Sequence, residues 1–247
     1  MPTPPPCDLS VIIPAYNEQR AIRGAMAAAR RYLESLPLSW ELLVVDDGSR
    51  DRTADEAKQA AAEAPENICV LRHPRNFGKG AAVRTGVLAS RGQFILFCDA
   101  DGATPIEEFG KFLPALRDGA DIAVGSRRIR GAQIARHQRP IRQALGAGYT
   151  RLTNWLVAPG ISDITCGFKA LRRQAAQAIF PHMCVFGWSF DAELFFLARR
   201  MKFRITEIPV TWTDQPNSKV RLGRDAVGSL LELLKIRWRA LAGRYPS

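Results

Sequence analysis

The sequence predicts an α/β fold in which a mostly parallel sheet is covered by helices on both faces. Two observations lead there. Between residues 10 and 126, short runs that are apolar throughout alternate with helix-like segments, the pattern of strands buried on both faces. At 247 residues and 47% apolar content, the chain can also bury the sizeable core that such a sheet needs.

The elements follow in order. Leu9–Ile13 is an apolar strand stopped at Pro14, and Ala21–Leu36 is an Ala- and Arg-rich helix. Leu42–Val45 is the second strand and runs into Asp46-Asp47-Gly48-Ser49, followed by a helix over Thr53–Ala64. Ile68–Leu71 is the third strand and Gly80–Ser90 the helix after it. Phe94–Cys98 is a strand closed by Asp99-Ala100-Asp101-Gly102, and Pro105–Leu116 is a helix with proline in its first turn. Ile122–Val124 is a further strand. Residues 127–165 break the alternation: an Arg-, Gly- and Gln-rich basic loop leads to an amphipathic helix over Ile141–Val157. Then come Cys166-Gly-Phe-Lys169, a helix around Arg173–Ile179, the Trp188–Leu197 segment and a strand over Ile205–Trp212. Asp225–Leu241 is amphipathic, with Val227, Leu230, Leu231, Leu234, Trp238 and Leu241 at helical spacing on one face. The expected layout is a disordered lead over 1–8, one domain over 9–224, and an amphipathic basic helix over 225–247 that packs on the domain or on a membrane surface.

Composition narrows the function. Lys and Arg number 35 against 24 Asp and Glu, a net charge of +11, which favours polyanionic partners. Six arginines and no acid fall between Gly125 and Gln143. The basic clusters lack interleaved stacking aromatics, so nucleic acid is not expected as a partner. Five dispersed cysteines with no C-x-x-C pair exclude a zinc or redox motif and suit a reducing, cytoplasmic setting. The first residues carry no signal-peptide pattern, and no apolar stretch is long enough to span a bilayer.

Ligands of such sheets bind beyond the carboxyl ends of the strands. Three polar clusters converge there: Pro14-Ala-Tyr16-Asn-Glu18, Asp46-Asp47-Gly48 and Asp99-Ala100-Asp101. Two carboxylates at i, i+2 on a buried strand end need compensation, and a hard divalent cation carrying phosphate would supply it. A strand end followed by an Asp-Gly turn is the plainer alternative.

The motifs Val11-Ile-Ile-Pro-Ala-Tyr-Asn-Glu18, Val44-Val-Asp-Asp-Gly-Ser49, Asn76-Phe-Gly-Lys-Gly80, Asp99-Ala-Asp101 and Gly125-Ser-Arg127 resemble those of glycosyltransferase family 2, with its Rossmann-like GT-A fold. Four further marks are most similar to the dolichyl-phosphate β-glucosyltransferase branch. They are Asp99-Ala-Asp-Gly-Ala-Thr104, Asp163-x-x-Cys-Gly-Phe-Lys169, Trp188-x-Phe-Asp-x-Glu-Leu194 and Glu207-x-x-Val-x-Trp-Thr213 before Ser218-Lys219. Thr213 stands where the related mannosyltransferases carry an arginine.

The resemblance implies inverting transfer of a hexose, glucose from UDP-glucose in the first instance, to a polyprenyl or dolichyl phosphate. The alternative is a family 2 enzyme with a mannosyl donor, or with a saccharide or glycolipid hydroxyl acceptor in polysaccharide synthesis. It implies Mg2+ or Mn2+ on Asp99 and Asp101, with Arg127 and Lys219 adding positive charge at the diphosphate. Pro14, Tyr16, Glu18, Val45, Asp46, Asp47 and Ala100 would line the nucleotide, and Lys79 would approach the diphosphate. Several have a plainer alternative: Pro14 ends a strand, Glu18 caps a helix, Asn76–Gly80 is a turn, and Arg127 and Lys219 are surface cations. A phosphate acceptor has a second pKa of about 6 and needs positioning more than a base, a task for Arg139 and Arg142. A hydroxyl acceptor would require a base, for which Asp191 is the candidate. The expected setting is peripheral, on the cytoplasmic face of a membrane, with a membrane-protein partner as a further possibility.

Overall fold

The computed structural model describes residues 6–136, 140–215 and 222–246, the side chains of 140–142 and 222–226 excepted. The main sheet has seven strands: β1 (Cys7–Ala15), β2 (Trp40–Asp46), β3 (Ile68–Arg72), β4 (Gly92–Cys98), β5 (Ile122–Ser126), β7 (Phe168–Arg172) and β8 (Ile205–Pro209). Their order is β3-β2-β1-β4-β7-β5-β8, and every pairing is parallel except those of β7, which runs antiparallel between β4 and β5. A second, two-stranded sheet joins β6 (Gln133–Arg136) to β9 (Thr211–Thr213).

Side-chain alternation divides the strands between two cores. Leu9, Val11 and Ile13 of β1, Leu42 and Val44 of β2, and Phe94 and Leu96 of β4 face one side. There they meet α1 (Ile22–Glu34), through Ile22, Met26, Ala29 and Leu33, and α4 (Phe109–Arg117), through Phe109, Phe112 and Leu116. α2 (Thr53–Ala61) adds Ala57 to the same side. Ile12, Leu43, Val45, Ile95 and Phe97 face the other side. They are covered there by α3 (Lys79–Ala89), α6 (Arg173–Ile179), α7 (Phe190–Arg200) and part of α8 (Leu222–Leu241). α5 (Pro140–Leu156) packs on this side through Tyr149, Leu152 and Leu156.

Three expectations are revised. β1 starts at Cys7, within the segment expected as a lead, because Asp8 Oδ2 accepts the Ser39 amide at 2.8 Å and its hydroxyl at 2.6 Å. The run 205–212 is not one strand. Pro209, which has no amide hydrogen, ends β8, and the chain turns to pair β9 with β6. β7 was hidden inside a loop-like stretch because Lys169 interrupts its apolar pattern, yet Lys169 is fully buried.

α8 turns its apolar stripe away from the core. Leu233 and Ile236 enter the core, whereas the expected stripe faces outward: Val227, Leu231, Leu234, Trp238 and Leu241 are among the most exposed apolar side chains. Trp155, near the end of α5, is 81% exposed.

α3 approaches the sheet closely because its inner face is small. A Cβ on Gly86 would run into the side chain of Ile12 and touch that of Val45. Replacing Gly86 with valine is therefore expected to lower stability by about 1–3 kcal/mol through overpacking. Urea unfolding reads the change, and an unchanged midpoint at unchanged slope would contradict the close seating.

Candidate active site

The rim beyond the strand ends begins where β1 and β2 leave the sheet. Asn17, at φ +52°, turns the chain, its amide donating to Ser49 Oγ at 2.8 Å while its own Oδ1 accepts the Arg50 amide at 2.9 Å. Gly48, at φ +66°, lies so close to the backbone of Arg75 that no Cβ fits between them. These turns frame a cleft of about 270 Å³ lined by Tyr16, Ser49, Arg50, Arg72, Arg75 and Asn76. The cleft is basic and carries the aromatic ring expected against a nucleotide.

Asp46 and Asp47 hold this cleft together from below. Asp46 is fully buried, accepts the Ser49 amide at 3.2 Å and lies 3.1 Å from Arg72 Nε. Asp47 accepts the amides of Phe77 at 3.0 Å and Gly78 at 2.8 Å, and pairs with His73 Nδ1 at 2.7 Å. His73 Nε2 in turn meets Thr85 Oγ1 at 2.9 Å. Both carboxylates shape the loop ahead of α3. Val45 is likewise turned into the core beneath α3, and Pro14 and Ala100 are buried, so these three offer the rim little side-chain surface.

At the end of β4 the acids gather. Asp99 Oδ1 lies 2.5 Å from Lys79 Nζ, which stands at the start of α3 and within 6.0 Å of the Trp188 and Phe190 rings. Asp101 accepts the Ala103 amide at 3.0 Å, closing a turn through Gly102 at φ +66°. The protein packed around Asp101 and the charges of Asp99 and Glu18 raise its pKa above the usual carboxylate value. Burial alone would lower the pKa of Lys79, but Asp99, Asp191 and Asp101 hold it above its ordinary value.

Beneath them lies a second, buried tier. Lys169 Nζ donates to the Cys166 carbonyl at 2.5 Å and pairs with Asp191 Oδ1 at 2.8 Å, between the rings of Phe97 and Phe195. Burial pushes the Asp191 pKa up, and Lys169 and Lys79 pull it back. Gly167, at the mouth of β7, backs directly onto the Asp99 carboxylate and leaves no room for a Cβ. Cys98 and Cys166 are buried thiols pushed up to about 12 and about 11, so neither is a nucleophile near neutrality.

Arg127 does not stand free as the sequence suggests. Its Nε and one terminal nitrogen grip both oxygens of the buried Asp163, at 2.7 and 2.8 Å, with its guanidinium 5.1 Å from the Trp212 ring. Burial opposes both charges. The pair overcomes it, so that Asp163 falls below and Arg127 rises above its ordinary pKa. Glu207 braces this pair by accepting the amides of Ser162 and Asp163. Thr213 N donates to the Ala103 carbonyl at 2.9 Å, tying β9 to the acidic turn. The structure thus joins Asp99, Asp101, Lys79 and Asp191, with Tyr16 and Glu18 along the rim. Arg139 and Lys219 lie outside the described residues, as does the side chain of Arg142. Asp163, Gly167 and Lys169 carry roles that residue-by-residue reasoning missed, although the spacing of their motif marked them.

Comparison with known proteins agrees with this geometry. Residues 10–180 match the family described as Glycosyl transferase family 2. A dolichyl-phosphate beta-glucosyltransferase of Trichomonas vaginalis is 40% identical over 223 residues, covering 85% of this chain and 65% of that protein. The Homo sapiens protein of the same name is 35% identical over 254 residues, covering 95% of this chain and 78% of its own length. This chain therefore spans roughly two thirds to three quarters of these relatives. Glucosyl-3-phosphoglycerate synthase from Mycobacterium tuberculosis, solved with UDP, superposes with a TM-score of 0.70 at 18% identity, covering 98% of this chain and 82% of that one. That likeness shows the fold, an α/β architecture of the GT-A type.

The Arg127–Asp163 pair yields a test of its own. Asp163→Ala would strand a buried guanidinium and is expected to cost about 3–5 kcal/mol, whereas replacing both residues by apolar ones of similar volume recovers most of it. Because folding lowers the Asp163 pKa, the wild-type contribution is complete above the ordinary value of 3.8 and fades as pH falls through the lower, folded value. Chemical unfolding of the three proteins measures this, and equal stability of the single and double variants would contradict it.

Proposed function

This chain belongs to glycosyl transferase family 2, and on that premise we propose that it transfers glucose, with inversion, from UDP-glucose to a polyprenyl phosphate of the dolichyl type. The names of the curated relatives support the sugar and the acceptor. The basic cleft beside an acidic turn supports a donor with two phosphates.

The donor set suits a divalent ion. Among the described residues, no three His, Cys, Asp or Glu side chains form a metal cage. Two carboxylates on one turn leave room for phosphate oxygens to complete the coordination of Mg2+ or Mn2+. When bound, the ion would supply Lewis-acid charge to the departing diphosphate. The remaining work falls to the chain. Asp99 and Asp101 orient the phosphates, Lys79 adds a fixed cation at the start of a helix whose N-terminal dipole has the same sign, and Tyr16 faces the nucleoside. Arg127 acts through Asp163 and Trp212, keeping the far wall of the site rigid.

One observation carries the choice of acceptor. Asp191 is 4% exposed and paired with Lys169, so it is poorly placed to accept a proton from an incoming hydroxyl. An acceptor that is already a dianion near neutrality needs no such base. Arg139 and Arg142 remain the proposed grip on it, by virtue of their place in the basic segment. We expect Asp101→Ala to reduce transfer to a polyprenyl phosphate by about 100-fold or more, and Asp191→Asn to leave it within about tenfold of wild type. Transfer of labelled glucose, run with a polyprenyl phosphate and with a saccharide acceptor, measures both. Transfer to the saccharide alone, abolished by Asp191→Asn, would overturn the reading.

The outward face of α8 extends the proposal to location. Among the described residues, no helix is long and apolar enough to cross a membrane. Val227, Leu231, Leu234, Trp238 and Leu241 instead form an exposed apolar face, with Arg237 and Arg244 nearby and Arg244 stacked 4.4 Å from the Trp238 ring. Such a face lies in a lipid interface while its cations meet anionic headgroups. Flotation with anionic vesicles at low salt is expected to carry wild type, and the double variant Leu231→Glu/Trp238→Glu is expected to stay behind. Equal behaviour of the two would remove α8 as the docking face.

A further inference from the structure

Lys79 reaches Asp99 because the start of α3 is held, and what holds it is the loop 183–189 ahead of α7. The Phe186 carbonyl accepts the Gly80 amide at 2.8 Å. Gly78, at φ +107°, and Gly80 press so closely on Phe186 and Phe190 that a Cβ at either would collide. The loop is gripped from its other side by Glu193, which is fully buried. One of its oxygens accepts the amides of Cys184 at 2.9 Å and Val185 at 2.7 Å. The other accepts the Cys184 thiol at 3.0 Å and the Tyr245 hydroxyl at 2.5 Å. All four donors are neutral, so the Glu193 carboxyl is held by hydrogen bonds and not by a direct ion pair. That arrangement fails when a donor is lost. α8 reinforces the grip, with Lys235 on the Cys184 carbonyl at 3.1 Å and Glu232 on the Ser189 amide at 3.0 Å.

Tyr245 lies in the segment that follows α8, more than fifty positions along the chain from the loop it serves. It is 4% exposed, with its ring against Phe196 at 5.4 Å and the Arg239 guanidinium 5.4 Å from it. Burial and the adjoining carboxylate raise its pKa, so the phenol keeps its proton and remains a donor.

We propose that Tyr245 and Glu193 are positioning residues of the donor site: together they fix loop 183–189, which sets the start of α3 and thereby the reach of Lys79 to Asp99. The inference rests on the rim being a nucleoside diphosphate site, and the experiment separates the two. Wild type, Tyr245→Phe, Lys79→Met and the double variant are compared for UDP affinity in the presence of Mn2+ and for amide exchange at Cys184 and Val185. Tyr245→Phe keeps the ring packing and removes only the hydroxyl. It is expected to speed exchange of both amides and to weaken UDP binding by about tenfold, the scale of a lost hydrogen bond to a buried charge. Because it acts through Lys79, it is expected to add little in the Lys79→Met background. Equal losses in both backgrounds, or faster exchange with unchanged affinity, would overturn the positioning role. Absence of UDP binding by wild type would overturn the donor-site reading itself. Should Tyr245→Phe fail to fold, Glu193→Gln, which keeps shape and an acceptor oxygen, enters the same cycle.

Discussion

The arrangement turns on the surplus of negative charge at the carboxyl end of β4. Asp99 and Asp101 project from one turn, with Glu18 and Asp191 facing them, and the wall behind is a packed core. Charge so placed is tolerable only if cations stand within a few ångströms. Lys79 comes from α3 and Lys169 from β7, each reaching an acid across the sheet's edge. Arg127 and Asp163 form a self-contained pair beside them. The positions of α3, β7 and the β5–β8 margin are thus all constrained by one electrostatic requirement. The glycines at 78, 80 and 167 follow from it, since each lets backbone come close enough to deliver a charge.

This requirement also explains the separation of duties among the acids. Asp46, Asp47 and Asp163, all buried, are tied to backbone amides, histidine or arginine, and serve as fasteners. Asp99 and Asp101 are less covered and have fewer of their oxygens engaged. A buried carboxylate in this chain is therefore a poor guide to reactivity. The useful criterion is how many of its lone pairs the protein has already engaged.

Much of the fold was legible because parallel strands buried on both faces print themselves as unbroken apolar runs. β1, β2, β3, β4 and β5 were found that way, as were the helices between them. β7 was not, because its second residue, Lys169, is a buried lysine paired with an aspartate 22 positions later, which no local pattern reveals. The acidic turn and Lys79 were readable from motif spacing. The locking of Arg127 by Asp163 and the inward turn of Val45 depend on tertiary direction. The stripe on α8 was legible as a stripe, with its side left open between the domain and a membrane surface. Six outward residues and two inward ones fit the same helical spacing, and only the packing of Leu233 and Ile236 distinguishes them.

The antiparallel β7 has a consequence for the order in which the molecule can assemble. β4 and β5 are near neighbours along the chain, yet they do not pair with each other. They wait for a strand that arrives more than forty residues later and wedges between them. The β3-β2-β1-β4 half can form from sequential crossovers, whereas the other half cannot close until that strand has been made. Contacts of long sequence separation of this kind slow folding. During synthesis from the amino terminus, the acidic turn therefore stands on an unfinished sheet edge before β7 and Gly167, which backs onto Asp99, exist. The site is among the last parts of the protein to be completed, although its first motif is among the first to be made.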